Sequence, residues 1–444
     1  MQTFHCCRFY TQIILLVSCV FVIPVFGQTE SAWPASKCEK LKEYLVELNQ
    51  QNQFNGTVLI AENGEVKFHE SVGFSNFEEE RKLDSEAAFR LASVSKQFTC
   101  MGIMLLKKDG KLKYDDPVVK HLPSFPYKNI TIRQLMHHNS GMPDYMRLMG
   151  ENWDSGKPTD KRKIARNKNM LDQFIQNQPK LVFQPGEKHE YSNSGYVVLG
   201  YLIETISKQP IQEFFQDRIF KPLGMANSHV FRGDDSFKPK HRVYGFRYAK
   251  EEPGFVANDY HYLNGMVGDG GIYASALDLL KWDQALYGNS LVSQEMLAEA
   301  FTSGKLNSGK ETGYGFGWGI DKNEAGQLQV SHGGSWVGFI TYIGRNISEQ
   351  RTLIILTNHS SRHLGKVMGK ISELAKTNPR VADDLIGMST YLPGAKIPNL
   401  HLKAPNNLTI YSASRTVEDA TEMFKLIKED MADLVWAACT CWRK

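Results

Sequence analysis

The stretch SVSKQFTCMGIMLLKKDG, residues 93–110, suits a helix yet has almost no polar face. Lys107 and Lys108 fall in its last turn, and Asp109-Gly110 supplies a glycine stop. Its interior, FTCMGIMLL, is apolar nearly all round, so the helix is buried rather than laid on a surface. A chain that wraps such a helix needs a large core. With 444 residues, 42% hydrophobic and 23% charged, this chain has the apolar mass to build one.

The segments on either side set the fold class. Leu41, Tyr44, Leu45 and Leu48 recur at helical spacing within 37–50. Val58 and Ile60, then Val66 and Phe68, alternate with polar neighbours around Asn63-Gly64, the strongest short hairpin signal. Residues 111–265 read as helix and loop, with helices predicted at 130–138, 167–178, 194–207 and 211–220. From 266, GDGGIYAS leads into a helix capped by Ser275, with Asp278 in its first turn and Gly288 closing it. Strand-like runs follow at 314–320, 327–331, 336–344 and 351–357, then a helix at 361–376. Strands at both ends with helices between predict an α/β chain of the α+β type. It should hold an antiparallel β-sheet flanked by helices, with an inserted, mostly helical region. The expected organisation is a leader at 1–27, one domain at 28–376 and a C-terminal extension of unassigned role at 377–444. That extension is rich in proline and carries one amphipathic helix near 416–434.

Arg8 precedes the apolar run IILLVSCVFVIPVFG, residues 13–27, which is too short to span a bilayer comfortably. Polar QTESAWPASK follows, and Val25 and Gly27 are small enough for a cleavage site after Gly27. The pattern predicts a signal peptide and a secreted or periplasmic protein. A retained membrane anchor is the alternative. LVSC at 16–19 also resembles a lipoprotein box, but apolar VFVIPVFG after Cys19 argues against it. Cleavage would leave Cys38, Cys100, Cys439 and Cys441, too few for a disulfide scaffold. No Cys/His spacing suggests a metal. The formal charge of +4, with acids and bases interleaved, argues against a nucleic-acid partner. In a eukaryotic host Asn55, Asn129, Asn346, Asn358 and Asn407 would stand in glycan-acceptor motifs.

Three short motifs can carry chemistry. Ser93 and Lys96, three apart on a helix, share a face about one turn apart. A serine needs a base, and a lysine serves as one only when burial lowers its pKa. The bland alternative is a serine helix cap. Tyr191-Ser192-Asn193 precedes a second buried helix, where Tyr191 can present its hydroxyl and Asn193 its amide. Otherwise the tyrosine only packs, and Asn193 or Ser194 only caps. His332-Gly333-Gly334-Ser335 lies within a strand pattern, and glycines there suggest close approach of a ligand or another backbone. Such an edge can offer backbone N–H groups to an oxyanion. His332 alone would more often be structural. No Gly-x-Ser-x-Gly elbow and no phosphate loop is present.

Together, Ser-x-x-Lys, Tyr-x-Asn and His-x-Gly occur in that order. With FRLASVSKQFT, ITIRQLMHHNSGMPDY, FQPGEKHEYSNSGYVVLGYLIE, GDGGIYASALDLLKWDQAL and YGFGWGI, the chain resembles the serine β-lactamase-like hydrolases over roughly residues 37–376. That family groups class C β-lactamases, D-Ala-D-Ala carboxypeptidases, and related esterases and D-aminopeptidases. The resemblance implies a β-lactamase/transpeptidase-like fold and an acyl-enzyme mechanism without metal or cofactor. It implies Ser93 as nucleophile, Lys96 as its base or relay, and Tyr191 in proton transfer to the leaving group. Asn193 would orient Lys96 or hold a substrate amide. The N–H groups of Ser93 and Ser335 would form the oxyanion hole. His332 stands where many members carry lysine, and Gly333 where they carry a hydroxyl residue. A neutral histidine offers no permanent cation to a substrate carboxylate. This departure favours the esterase- and peptidase-like members over β-lactamases. The expected partner is a small molecule or peptide with an ester, amide or lactam carbonyl, with peripheral contact to the cell envelope as an option. A protein that keeps the fold but only binds is the competing reading.

Overall fold

Asn63 and Gly64 both take positive φ, 53° and 78°, the tight turn that an Asn-Gly pair favours. They join β1 (Gly56–Glu62) to β2 (Glu65–Val72). The other edge of β1 is closed by the far end of the chain. Four further strands follow: β3 (Gly319–Lys322), β4 (Leu328–Trp336), β5 (Phe339–Asn346) and β6 (Arg351–Thr357). The six-stranded sheet runs β3-β4-β5-β6-β1-β2, antiparallel throughout, with Gly56 opposite Thr357. The computed structural model describes residues 33–153, 164–233, 239–249, 254–360, 364–375, 401–403 and 409–411. The leader, the stretch 416–434 and Cys439 and Cys441 lie outside the described residues.

The helices, in chain order, are α1 (Ala35–Gln50), α2 (Lys96–Lys108), α3 (Ile132–Met136), α4 (Tyr145–Asn152) and α5 (Asn167–Asn177). Then come α6 (Asn193–Ser207), α7 (Ile211–Phe215), α8 (Ala276–Ala285), α9 (Gln294–Ala300) and α10 (Leu364–Ala375). Both faces of the sheet are covered. Val58, Ile60, Leu353 and Ile355 pack with Leu41, Leu45 and Leu48 of α1 and Met368 and Ile371 of α10. Leu59, Ala61, Ile354 and Leu356 point the other way, into the larger core around α2 and α6. Two-sided burial explains why β6 reads as an almost unbroken apolar run.

Helix α2 is buried from Lys96 to Leu106, as its composition requires. It meets α6 at Gly102, where a Cβ would lie 2.7 Å from Ile203 Cδ1. Ser275 caps α8, its Oγ accepting from Asp278 N–H at 3.1 Å.

Several expectations change. Residues 314–318 are loop, not strand, because Gly313 and Gly317 take φ of 72° and 77° and fold the segment over the start of α2. The helix expected at 211–220 becomes α7 followed by a π-helical turn, Gln216–Phe220. The helix expected at 130–138 is five residues long, closed at its N-terminus by a Thr131–Gln134 capping box. Asn55 and Asn358 are buried and bonded to each other, so neither can carry a glycan in the folded chain. Among the described residues, no helix is long and apolar enough to cross a membrane.

Candidate active site

The site begins where a strand end is fixed from two sides. Leu91 N–H donates to Ile272 O at 2.8 Å, and Thr341 Oγ donates to Leu91 O at 2.7 Å. Ala92 then takes φ of 48°, a left-handed conformation that costs an L-residue about 1–2 kcal/mol. A single 3₁₀ turn, Ala92–Ser95, runs straight into α2. Strand β4 passes close beneath this turn. A Cβ on Gly334 would sit 2.2 Å from Leu91 O and 3.0 Å from Ser93 N, so only glycine fits.

The turn separates its two serines. Ser95 is fully buried and its Oγ accepts from Ile272 N–H at 3.2 Å, a structural bond. Ser93 is partly exposed and caps nothing; its Oγ accepts from Lys96 Nζ at 3.0 Å and meets the Tyr191 hydroxyl. Lys96 is 0% exposed and also donates to Asn193 Oδ1 at 2.8 Å and Asp269 O at 2.9 Å. Its other neighbours are the rings of Tyr191 and Tyr196, with centroids 4.9 and 5.3 Å away. Among the described residues, it forms no ion pair with a carboxylate. Burial, opposed by the charge of Asp269, pushes its pKa down to about 7. At neutral pH the amine can therefore hold or accept a proton.

Ser192, not Asn193, caps α6, through a long 3.5 Å bond to Gly195 N–H. Asn193 is thereby the first helical residue, with its amide turned to Lys96. Tyr191 is 41% exposed, yet its hydroxyl end is enclosed against Ser93, and burial raises the phenol well above its ordinary range. It stays protonated at neutral pH.

His332 stands apart. It is 5% exposed, its Nδ1–H donates to Gly333 O at 2.6 Å, and its Nε2 accepts from the Tyr314 hydroxyl at 2.8 Å. Burial, reinforced by the charge of Lys96, pushes its pKa down to about 3, so the ring is neutral. Its ring centroid is 6.1 Å from that of Tyr191. Ser335 follows Gly334 and is partly exposed. β3 pairs with Leu328–Ser331, so among the described residues His332–Trp336 has a strand partner on one side alone. The structure thus brings Ser93, Lys96, Tyr191 and Asn193 into one network, with Gly334 against the turn and His332 at its border.

A family model described as Beta-lactamase matches residues 41–371. This chain belongs to the β-lactamase family. Penicillin-binding protein 4* of Bacillus subtilis (strain 168) is 39% identical over 332 residues, 73% of this chain and 72% of that protein. The octameric penicillin-binding protein homologue from Pyrococcus abyssi is 28% identical with a TM-score of 0.65, covering 77% of this chain and 78% of that one. The D-amino acid amidase of Ochrobactrum anthropi SV3 shares the fold at 21% identity and a TM-score of 0.63, covering 79% of this chain and 99% of that one. The β-lactamase family is one of serine hydrolases and acyl transferases, which is the class of chemistry this network suits.

Three residues of this β-lactamase-family site escaped the sequence reading. Asp269 contributes a carbonyl oxygen to Lys96, while its carboxyl accepts from the Tyr145 hydroxyl at 3.0 Å. A carbonyl leaves no residue signature, and GDGG showed only its glycines. Tyr314 sat in a segment read as strand. His138 was one of two adjacent histidines with no motif of its own. Among the described residues, no group of three or more His, Cys, Asp or Glu could hold a metal ion.

Proposed function

We propose that this protein is an exported serine hydrolase that acts on an ester or amide carbonyl through an acyl-enzyme on Ser93. One observation carries the reading: a lysine without an ion pair among the described residues is buried against the serine hydroxyl, with its pKa near neutrality. The neutral Lys96 amine takes the Ser93 proton as Oγ attacks the carbonyl carbon. Asn193 Oδ1 and Asp269 O hold the resulting ammonium. The N–H groups of Ser93 and Ser335 receive the oxyanion. Tyr191, a phenol throughout this pH range, hands a proton to the leaving group and is reprotonated from Lys96. Water then hydrolyses the acyl-enzyme by the reverse sequence.

His332 supports the choice of substrate. Neutral and engaged with Tyr314, it offers no cation to a carboxylate beside the scissile bond. Esters and amides without that carboxylate are favoured over β-lactams. The relative named a penicillin-binding protein keeps lactams in the test. The apolar leader at 13–27 supports export.

The test is a panel of p-nitrophenyl esters, nitrocefin and D-Ala-terminated peptides on wild type and Ser93→Ala, with fluorophosphonate labelling. The expected result is label on Ser93, turnover of esters above nitrocefin, and loss of both in the variant. Full activity in Ser93→Ala overturns the reading. Tight binding of peptides with no burst favours the competing binding protein.

A further inference from the structure

His138 lies within the site and has no part in the steps above. It is 1% exposed and takes φ of 57°, a left-handed conformation that is costly for a residue with a Cβ. Two bonds show what that conformation achieves. The His138 carbonyl accepts from Glu190 N–H at 2.9 Å, and its Nδ1 accepts from Ser192 N–H at 3.0 Å. One residue therefore grips the backbone on both sides of Tyr191. Its ring also packs on the Tyr191 ring, with centroids 4.2 Å apart.

An imidazole that accepts at Nδ1 carries its proton on Nε2. Nε2 is buried without a hydrogen-bond partner, and the ring lies among those of Tyr196 and Tyr314, at 4.8 and 4.6 Å. Burial first, then Lys96, His189, His332 and His137, push the His138 pKa well below its ordinary value. Burial and the charge of Lys96 oppose a second positive charge there. A proton on Nδ1 would set a donor against the Ser192 N–H and break the grip.

We propose that His138 is a positioning residue whose backbone and ring clamp Tyr191 so that its hydroxyl stays on Ser93. The inference rests on the hydrolase reading above. The decisive variants are His138→Ala and His138→Asn. The asparagine amide oxygen can stand where Nδ1 stands, and asparagine tolerates the left-handed backbone. With p-nitrophenyl esters, His138→Ala should lower kcat by roughly 30-fold while KM moves less than about threefold. His138→Asn should recover most of that loss. Nitrogen-15 NMR of histidine-labelled protein should show a ring signal, lost in His138→Asn, with its proton on Nε2 that does not titrate between pH 8 and pH 5. Equal losses in both variants, losses that follow Tm, or a His138 ring that protonates near its ordinary pKa would overturn the clamp. If wild type shows no Ser93-dependent turnover, the hydrolase reading falls and the inference falls with it. If turnover depends on Ser93 but His138→Ala leaves it unchanged, only the inference falls.

Discussion

Lys96 and Arg345 are both cations withdrawn from water, and they are housed in opposite ways. Arg345, in β5, has its Nε on Asp283 Oδ1 and a second nitrogen on Asp283 O at 3.2 Å. Thr352 Oγ donates to the same carboxylate at 2.8 Å, and the Tyr287 ring lies 4.6 Å from the guanidinium. Both side chains of the pair are 0% exposed. Among the described residues, Lys96 donates its hydrogen bonds to neutral oxygens and lies against aromatic rings, and the charge of Asp269 acts on it without a direct ion pair. A guanidinium cannot shed its proton, and at Arg345 the Asp283 carboxylate offsets the buried charge. An ammonium can, so burial without a direct ion pair leaves it half-committed to its proton. One pair serves the stability of the sheet, and the other group is left available for chemistry.

This contrast can be broken experimentally. Lys96→Met should lower kcat/KM on the order of a thousandfold or more while raising Tm by about 2 °C, because it removes a buried cation that has no direct ion pair. A fall in Tm equal to that of the Arg345 site would break the comparison. Asp283→Ala should do the reverse. It should cost about 3–5 kcal/mol in denaturant unfolding by orphaning Arg345, and Asp283→Leu with Arg345→Met should recover most of it. Gly334→Ala, which presses on Leu91 O, should lower kcat by roughly 10–100-fold through the shifted turn; unchanged kinetics would separate β4 from the site.

The smallest effect is in pH dependence. Lys96 is depressed in the folded chain, to about 7, from its ordinary 10.5. Between those values the unfolded chain binds the extra proton, so this residue makes stability rise with pH across that window. Below about 7 its contribution is flat. The difference in unfolding free energy between wild type and Lys96→Met should therefore shift from pH 7 to pH 10 and stay level from pH 6 to pH 5. Turnover should rise as pH climbs through about 7, since the accepting form is the amine. A shift confined to pH 4–5 would point to a carboxylate instead.

Much of this was legible from the chain. The Asn63-Gly64 turn, the apolar α2 and the Ser275 cap each rest on local chemistry, and local chemistry survives in a sequence. Ser93, Lys96, Tyr191 and Asn193 were legible because their side chains carry the contacts. The segment at 314–318 was not, because its aromatic alternation mimics a strand while two left-handed glycines undo it. Asp269 was hidden because it works through its carbonyl, and His138 because its conformation, not its type, places it. His332 was read as a departure; its engagement with Tyr314 could not be read, since nothing in HGG says which way the ring turns.

The sheet also sets an order of events. Asn55 and Asn358, 303 residues apart, hydrogen-bond beside the β1–β6 junction. During synthesis the hairpin can pack on α1, but the free edge of β1 finds its partner strand only when nearly the whole domain has followed. Such long-range pairing makes for slow folding and leaves apolar strands unpaired meanwhile. A hairpin that must wait is a hazard in a crowded compartment. The same delay would suit the export proposed above, because the step that would lock the fold comes last.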